Sequence, residues 1–227
     1  MRYSKLLFLA SALALLAGPA SAATYSFRQA STGIRAGGAV SAPVAPVTAY
    51  AKWSSFTSLA SSSDGLTVSF SNTSTTFHSA RADIAKSTGK WYFEAAYLGS
   101  SGAVLPDGAM IGIGQALPAA GNFFGAVNTG GIAYYNINGR VYNNGPSVVS
   151  GALLQKNDKL GIAVDLDARK IQFYVNCAAA GPAHSIPAGT SFYPAMSAYG
   201  AFPSVTANFG ASAFWCTVPS GYASGWY

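Results

Sequence analysis

The sequence predicts an all-β protein, an antiparallel sandwich of two sheets, and three observations carry that prediction. Apolar residues recur at every second position through many short stretches, which is the period of a strand with one buried face. Turn-forming residues break those stretches at short intervals, as in Ser63-Asp64-Gly65, Thr88-Gly89, Pro106-Asp107-Gly108, Asn138-Gly139, Asn144-Gly145-Pro146 and Gly181-Pro182. The globular part shows no convincing helical period, and no internal repeat that would point to a propeller or solenoid. The 227 residues fit one large domain with appendages, and a composition 50% hydrophobic supplies its core.

The chain opens on Arg2 and Lys5, an apolar run from Leu6 to Ala17, and the small residues Ala20-Ser21-Ala22, the pattern of an export signal removed near Ala22. That run is too short to span a bilayer, so a secreted or periplasmic chain without membrane insertion is expected; an uncleaved anchor is the alternative. Residues 23–50 are rich in Ala, Gly, Ser, Pro and Val without periodicity, and read as a linker or arm. A domain over 51–227 follows. Its expected strands are Leu66 to Phe70, Thr75 to Ile84 with a break, Lys90 to Leu98, Ala109 to Gln115, Gly131 to Asn136 and Arg140 to Asn143. Lys159 to Asp165, Lys170 to Asn176, Phe192 to Tyr199 and Val205 to Phe209 complete the set.

Two of these form the expected centre. Leu160, Ile162 and Val164 alternate with Gly161, Ala163 and Asp165, the chain turns over Leu166 to Lys170, and Ile171, Phe173 and Val175 resume the period. A hairpin of this kind is marginal alone in water and implies a larger sheet around it. Small residues opposite its apolar face imply that a second layer of chain lies there. In the strand from Lys90, Trp91, Phe93, Ala95 and Tyr97 share one face while Tyr92, Glu94, Ala96 and Leu98 share the other, which predicts burial on both sides, Trp91 in the core included.

Charge excludes several function classes. Only 9% of residues are charged, so polar cover comes from Ser, Thr, Asn and Gly. Removing the signal takes Arg2 and Lys5 with it and the formal charge from +6 to +4. The remaining cations are scattered, and those in pairs, Lys86 and Lys90, Lys156 and Lys159, Arg169 and Lys170, stand at strand ends, where solvated turns account for them. No run of bases interleaved with aromatics suggests a nucleic-acid surface.

Several blocks also resemble a known family. Ser87-Thr88-Gly89-Lys90-Trp91-Tyr92-Phe93-Glu94 is similar to a characteristic strand of SPRY (B30.2-like) domains. Met110-Ile111-Gly112-Ile113-Gly114, Leu160-Gly161-Ile162-Ala163-Val164-Asp165, Phe173-Tyr174-Val175-Asn176, Phe192-Tyr193-Pro194-Ala195 and Ala207-Asn208-Phe209-Gly210 follow in the family's order. The resemblance spans about Trp53 to Phe214 and is nearest to bacterial or phage-like single-domain members. It implies a concanavalin A-like jelly roll and non-catalytic recognition through loops at one end of the sandwich. Where the family carries Gly after Asn176 this chain has Cys177, and since that turn favours positive φ, a rebuilt loop is expected.

Catalytic chemistry finds little support. Glycoside hydrolysis needs two placed carboxyl groups, whereas Glu94 is the only Glu, expected to accept from backbone N–H groups or to meet Arg81. Asp165 and Asp167 flank the hairpin turn and read as capping groups. Gly112-Ile113-Gly114 lacks the third glycine of a dinucleotide loop and marks a close backbone approach. His78 and His184 have no neighbours at metal-ligand spacing, and no nucleophile elbow occurs. We therefore expect no catalytic residue, metal or cofactor. Cys177 and Cys216, the two cysteines of an exported chain, are expected to form a disulfide. Loop aromatics and amides are the candidate ligand contacts: Phe123, Phe124, Tyr142, Asn143, Asn144, Tyr199 and Phe202. A protein or peptide is the expected partner, with a glycan, or a structural place in a surface appendage or virion, as alternatives.

Overall fold

A computed structural model of the protein describes residues 49–70, 73–99, 108–201 and 204–227. The expected signal segment, most of the arm, and Phe202 lie outside the described residues. Strands in chain order are β1 (Trp53–Phe56), β2 (Ala60–Ser61), β3 (Thr67–Phe70), β4 (Thr73–Ala82), β5 (Lys90–Tyr97), β6 (Gly108–Gly114), β7 (Ile132–Tyr135) and β8 (Arg140–Asn143). They continue as β9 (Ser147–Val149), β10 (Lys159–Asp165), β11 (Lys170–Val175), β12 (Ala178–Ala179), β13 (His184–Ser185), β14 (Tyr193–Ala201), β15 (Ser204–Asn208) and β16 (Ala223–Ser224).

These build the two expected sheets. Seven strands run β1-β4-β14-β6-β7-β8-β9, and the other sheet runs β12-β11-β10-β5-β15-β3-β2 with β13 and β16 attached at its margins. Every pairing along the two sheet orders is antiparallel, and β16 alone is parallel to its neighbour β5. The sheets face each other over one apolar layer. Phe93, Ala95 and Tyr97 of β5, Ile162 and Val164 of β10 and Phe173 of β11 meet Ile111, Ile113, Ile132, Tyr134 and Met196 from the opposite sheet.

The expected hairpin is central. Leu160 pairs with Val175 and the register runs unbroken to Asp165 opposite Lys170, while β5 pairs with the other edge of β10. Its turn is held by Asp165, which accepts from Ala168 N–H at 2.8 Å and pairs with Lys90 at 3.0 Å. Asp167 accepts from Gly89 N–H at 2.9 Å, so both aspartates are capping groups. Arg169 is not a solvated turn residue: its guanidinium donates to the Pro187 and Gly189 carbonyls.

Three expectations are corrected. Trp91 is only half-buried, at the mouth of the core, donating from its indole to Thr88 O and lying beneath the Lys86 ammonium at 3.8 Å. The indole that fills the interior is Trp226, fully buried, hydrogen-bonded to Ile84 O and held through its carbonyl by Ala51 N–H. The loop after Asn176 is not rebuilt either: Asn176 and Cys177 adopt φ of 48° and 72°, joining β11 to β12 by a two-residue turn of the glycine-favouring kind. Cys177 holds that conformation because its sulfur is bonded to Cys216, with the Cα atoms 5.3 Å apart.

The third correction concerns Glu94 and Arg81, which lie on different sheets. Glu94 is fully buried on β5 and accepts from Trp215 N–H (2.7 Å), Cys216 N–H (2.8 Å) and Tyr92 O–H (2.9 Å). Backbone donors are therefore its partners, as one of the two expectations held. The segment it captures leaves β15, crosses the outer face of the sheet over Tyr92, and returns as β16 beside Trp91 and Tyr92. Asn208 fastens the start of this excursion by donating to Ser212 O and Ala213 O.

Candidate functional site

Alternation on the seven-stranded sheet decides which residues face away from the core. Ala80 and Ala82, Ile111 and Ile113, Ile132 and Tyr134, and Met196 and Ala198 point inward. Their neighbours therefore point outward: Phe77, Ser79 and Arg81 on β4, Met110 on β6, Tyr135 on β7, Arg140 and Tyr142 on β8, and Tyr193, Ser197 and Tyr199 on β14. A second apolar cluster forms here, with Met110, Phe124, Ala133 and Ala195 buried and Phe77, Phe123, Tyr135 and Tyr142 partly so.

The loop between β6 and β7 makes that burial. Phe124 N–H donates to Ser197 Oγ at 3.0 Å, and Ser197 is bonded to Ser79 at 2.7 Å, so two buried hydroxyls anchor the loop to the sheet. Phe124 then occupies space that only glycine leaves: a Cβ on Gly114 would lie 2.2 Å from its ring, and one on Gly112 would meet Ile132 O at 2.0 Å. Both glycines are close-approach positions, as the sequence indicated.

Around this anchor the aromatic side chains close a ring. Phe77 contacts Phe123 at 4.7 Å, Phe123 contacts Tyr142 at 5.6 Å, Tyr142 contacts Tyr135 at 5.9 Å, and Tyr199 returns to Phe77 at 4.6 Å. The last link is polar, Tyr135 Oη to Tyr199 Oη at 2.9 Å. Burial, and then the bond to Tyr199, push the Tyr135 phenol far above its ordinary value, so its hydroxyl stays neutral and able to donate or accept. All five residues keep part of their surface exposed. Arg140, opposite Tyr135 in register, donates to Ser147 and adds a half-exposed cation to the edge.

Of the sequence-predicted contacts, Phe123, Tyr142 and Tyr199 converge in this ring. Phe124 does not present a surface, because it is fully buried as the loop's anchor. Asn143 spends its amide on Ser185 O at 2.8 Å, tying β8 to β13, and Asn144 forms the turn, with φ of 49° and its side chain accepting from Gly130 N–H. Phe77 and Tyr135 were missed; alternation within their strands was the available signal, without a means of telling the outer face from the inner.

One Ser–His contact resembles catalytic chemistry and does not behave like it. Ser150 Oγ lies 3.0 Å from His184 Nε2, but Ser150 directs its own proton to Ala180 O, so the imidazole is the donor. A general base needs the opposite polarity. Among the described residues no group of three or more metal-ligating side chains converges. No helix among them is long and apolar enough to cross a membrane.

The two sheets, with an aromatic cluster on the outer face of one, define a β-sandwich domain. Residues 90–212 match the SPRY domain, and the chain belongs to that family, whose members are in general protein-interaction modules. The SPRY domain of human HERC1 superposes with a TM-score of 0.57 at 16% identity, covering 67% of this chain and 96% of that one. Another human SPRY domain gives 0.54 at 18% identity, covering 70% and 100%. No curated protein sequence matches.

Proposed function

We propose that the protein is an exported, non-catalytic module that binds an extended segment of a partner protein across the aromatic ring on the outer face of the seven-stranded sheet. The closed contact of Phe77, Phe123, Tyr142, Tyr135 and Tyr199 beside Arg140 supports this reading: it offers large aromatic area, two hydrogen-bonding hydroxyls and one cation in a single patch. Export accords with the expected signal and with a disulfide between the only two cysteines.

Selection of a displayed random-peptide library on the full chain tests the site. Selected peptides should lose more than about 1 kcal/mol of affinity with Tyr199→Ala or Phe123→Ala while melting behaviour is kept. Peptides that bind both variants as they bind the parent would place recognition elsewhere. N-terminal sequencing of exported material tests the cleavage near Ala22.

A further inference from the structure

The outer face of the other sheet carries a different surface. Trp215 is 43% exposed, although its backbone is anchored on both sides. Its N–H is bound by buried Glu94, its predecessor Phe214 packs on Tyr92 at 5.1 Å, and its successor Cys216 is bonded to Cys177. The family match ends at residue 212, before this indole. Lys159 Nζ lies over one face of the ring, 4.4 Å from its centroid, and the opposite face is the one left for a ligand.

Away from Trp215, register lays out a grid of hydroxyls. Lys159 is opposite Ala96, Ala96 opposite Thr206, and Thr206 opposite Thr67, with the two threonine hydroxyls 2.9 Å apart. All of these alternate with core residues and so face outward; Ala96 is covered there, and the accessible hydroxyls begin at Thr206 and Thr67. The next row holds Ser204 opposite Ser69 and Ser69 opposite Ser61. The grid ends in an open depression of about 400 Å³ lined by Ser61, Ser62, Ser63, Asp64, Thr67 and Ser69. From β10 to β2 is four strand spacings, roughly 19 Å at about 4.8 Å each. Lys159 stands at one end of that span and Asp64 at the other, where hydrogen bonds from Thr67 and Leu66 N–H hold its carboxyl well below its ordinary value.

We infer that this face is a binding site for a neutral oligosaccharide, with one sugar ring stacked on Trp215 and the following units hydrogen-bonded along the Thr206, Thr67 and Ser69 hydroxyls into the depression. An electron-rich indole attracts the C–H face of a pyranose, and hydroxyls that both donate and accept suit its rim. Fixing the backbone on both sides of an exposed indole lowers the ordering cost of binding.

The full chain is titrated with cellohexaose, xylohexaose, chitohexaose and maltohexaose, following tryptophan fluorescence and calorimetric heat. At least one should give a saturable response, reduced about tenfold or more by Trp215→Ala, restored in part by Trp215→Phe, and reduced by Thr206→Val and Ser69→Ala. Tyr199→Ala, on the opposite sheet, should leave it unchanged, which separates this site from the peptide-binding one. Absence of response to all four sugars at millimolar concentration overturns the inference. So does a response that Trp215→Ala and Thr206→Val leave intact, or one that Tyr199→Ala abolishes.

Discussion

Replacing Glu94 by Gln tests how the C-terminal segment is held. The carboxylate is fully buried, and Lys90–Asp165 is the one salt bridge among the described residues, so three hydrogen-bond donors rather than a cation compensate its charge. Oε1 accepts from Cys216 N–H and Tyr92 O–H, and Oε2 from Trp215 N–H. A Gln that keeps its oxygen at the first position turns an NH₂ toward the Trp215 amide and leaves a buried N–H unpaired, at a cost of about 1–3 kcal/mol. The two remaining bonds change from charge-assisted to neutral, losing about 1 kcal/mol each. Relief of the carboxylate's desolvation offsets part of this, for a net destabilisation of about 2–3 kcal/mol. Urea unfolding should show a lower midpoint at unchanged slope, and hydrogen exchange should accelerate first at the amides of Trp215 and Cys216. A Glu94→Gln protein within about 0.5 kcal/mol of the parent would refute the reasoning.

The two mouth-and-core indoles should separate cleanly: Trp226→Ala empties a fully buried position and costs about 3–5 kcal/mol, whereas half-exposed Trp91→Ala costs about 1–2 kcal/mol, both read from denaturant midpoints. Removing the disulfide with Cys177→Ser and Cys216→Ser should cost about 4 kcal/mol for a 39-residue separation, and Gly in place of Ser at position 177 should recover about 1 kcal/mol because φ there is 72°. Equal stability of the two double variants would show that the turn relaxes once the sulfur is gone. Burial, with the Lys170 charge adding to it, holds the His184 imidazole below its ordinary 6.5. The unfolded chain therefore binds a proton that the folded one resists, so stability should be level above pH of about 6.5 and decline as pH falls below it. His184→Gln should flatten that decline below about pH 6.5, as followed by melting temperature across buffers.

Much of the fold was legible because a strand's period is local. The hairpin from Lys159 to Val175 forms where its alternation placed it, and the strand from Lys90 is buried on both faces over Tyr92 to Tyr97, as its doubled apolar pattern required. The unpredicted strands, β1, β2, β9, β12, β13 and β16, run from two to four residues and lie at or near sheet margins. At that length two or three side chains cannot establish a period, and pairing with a longer neighbour decides the conformation. The site was half legible for a related reason. Phe123, Tyr142 and Tyr199 stand out as loop and strand-end aromatics, but Phe124 looks identical in sequence and is buried only because Gly114 leaves room for it.

By itself the sequence determined what neighbouring residues can settle: strands from alternation, turns from Gly and Asn, and a disulfide from there being only two cysteines. Only tertiary structure decided which outward face closes into an aromatic ring, that Trp226 rather than Trp91 fills the core, and that Glu94 clasps residues more than a hundred positions away. Alternation states that two faces differ without saying what covers either one. That choice is made by contacts between segments far apart in the chain, whose energies appear only when both sheets are in place.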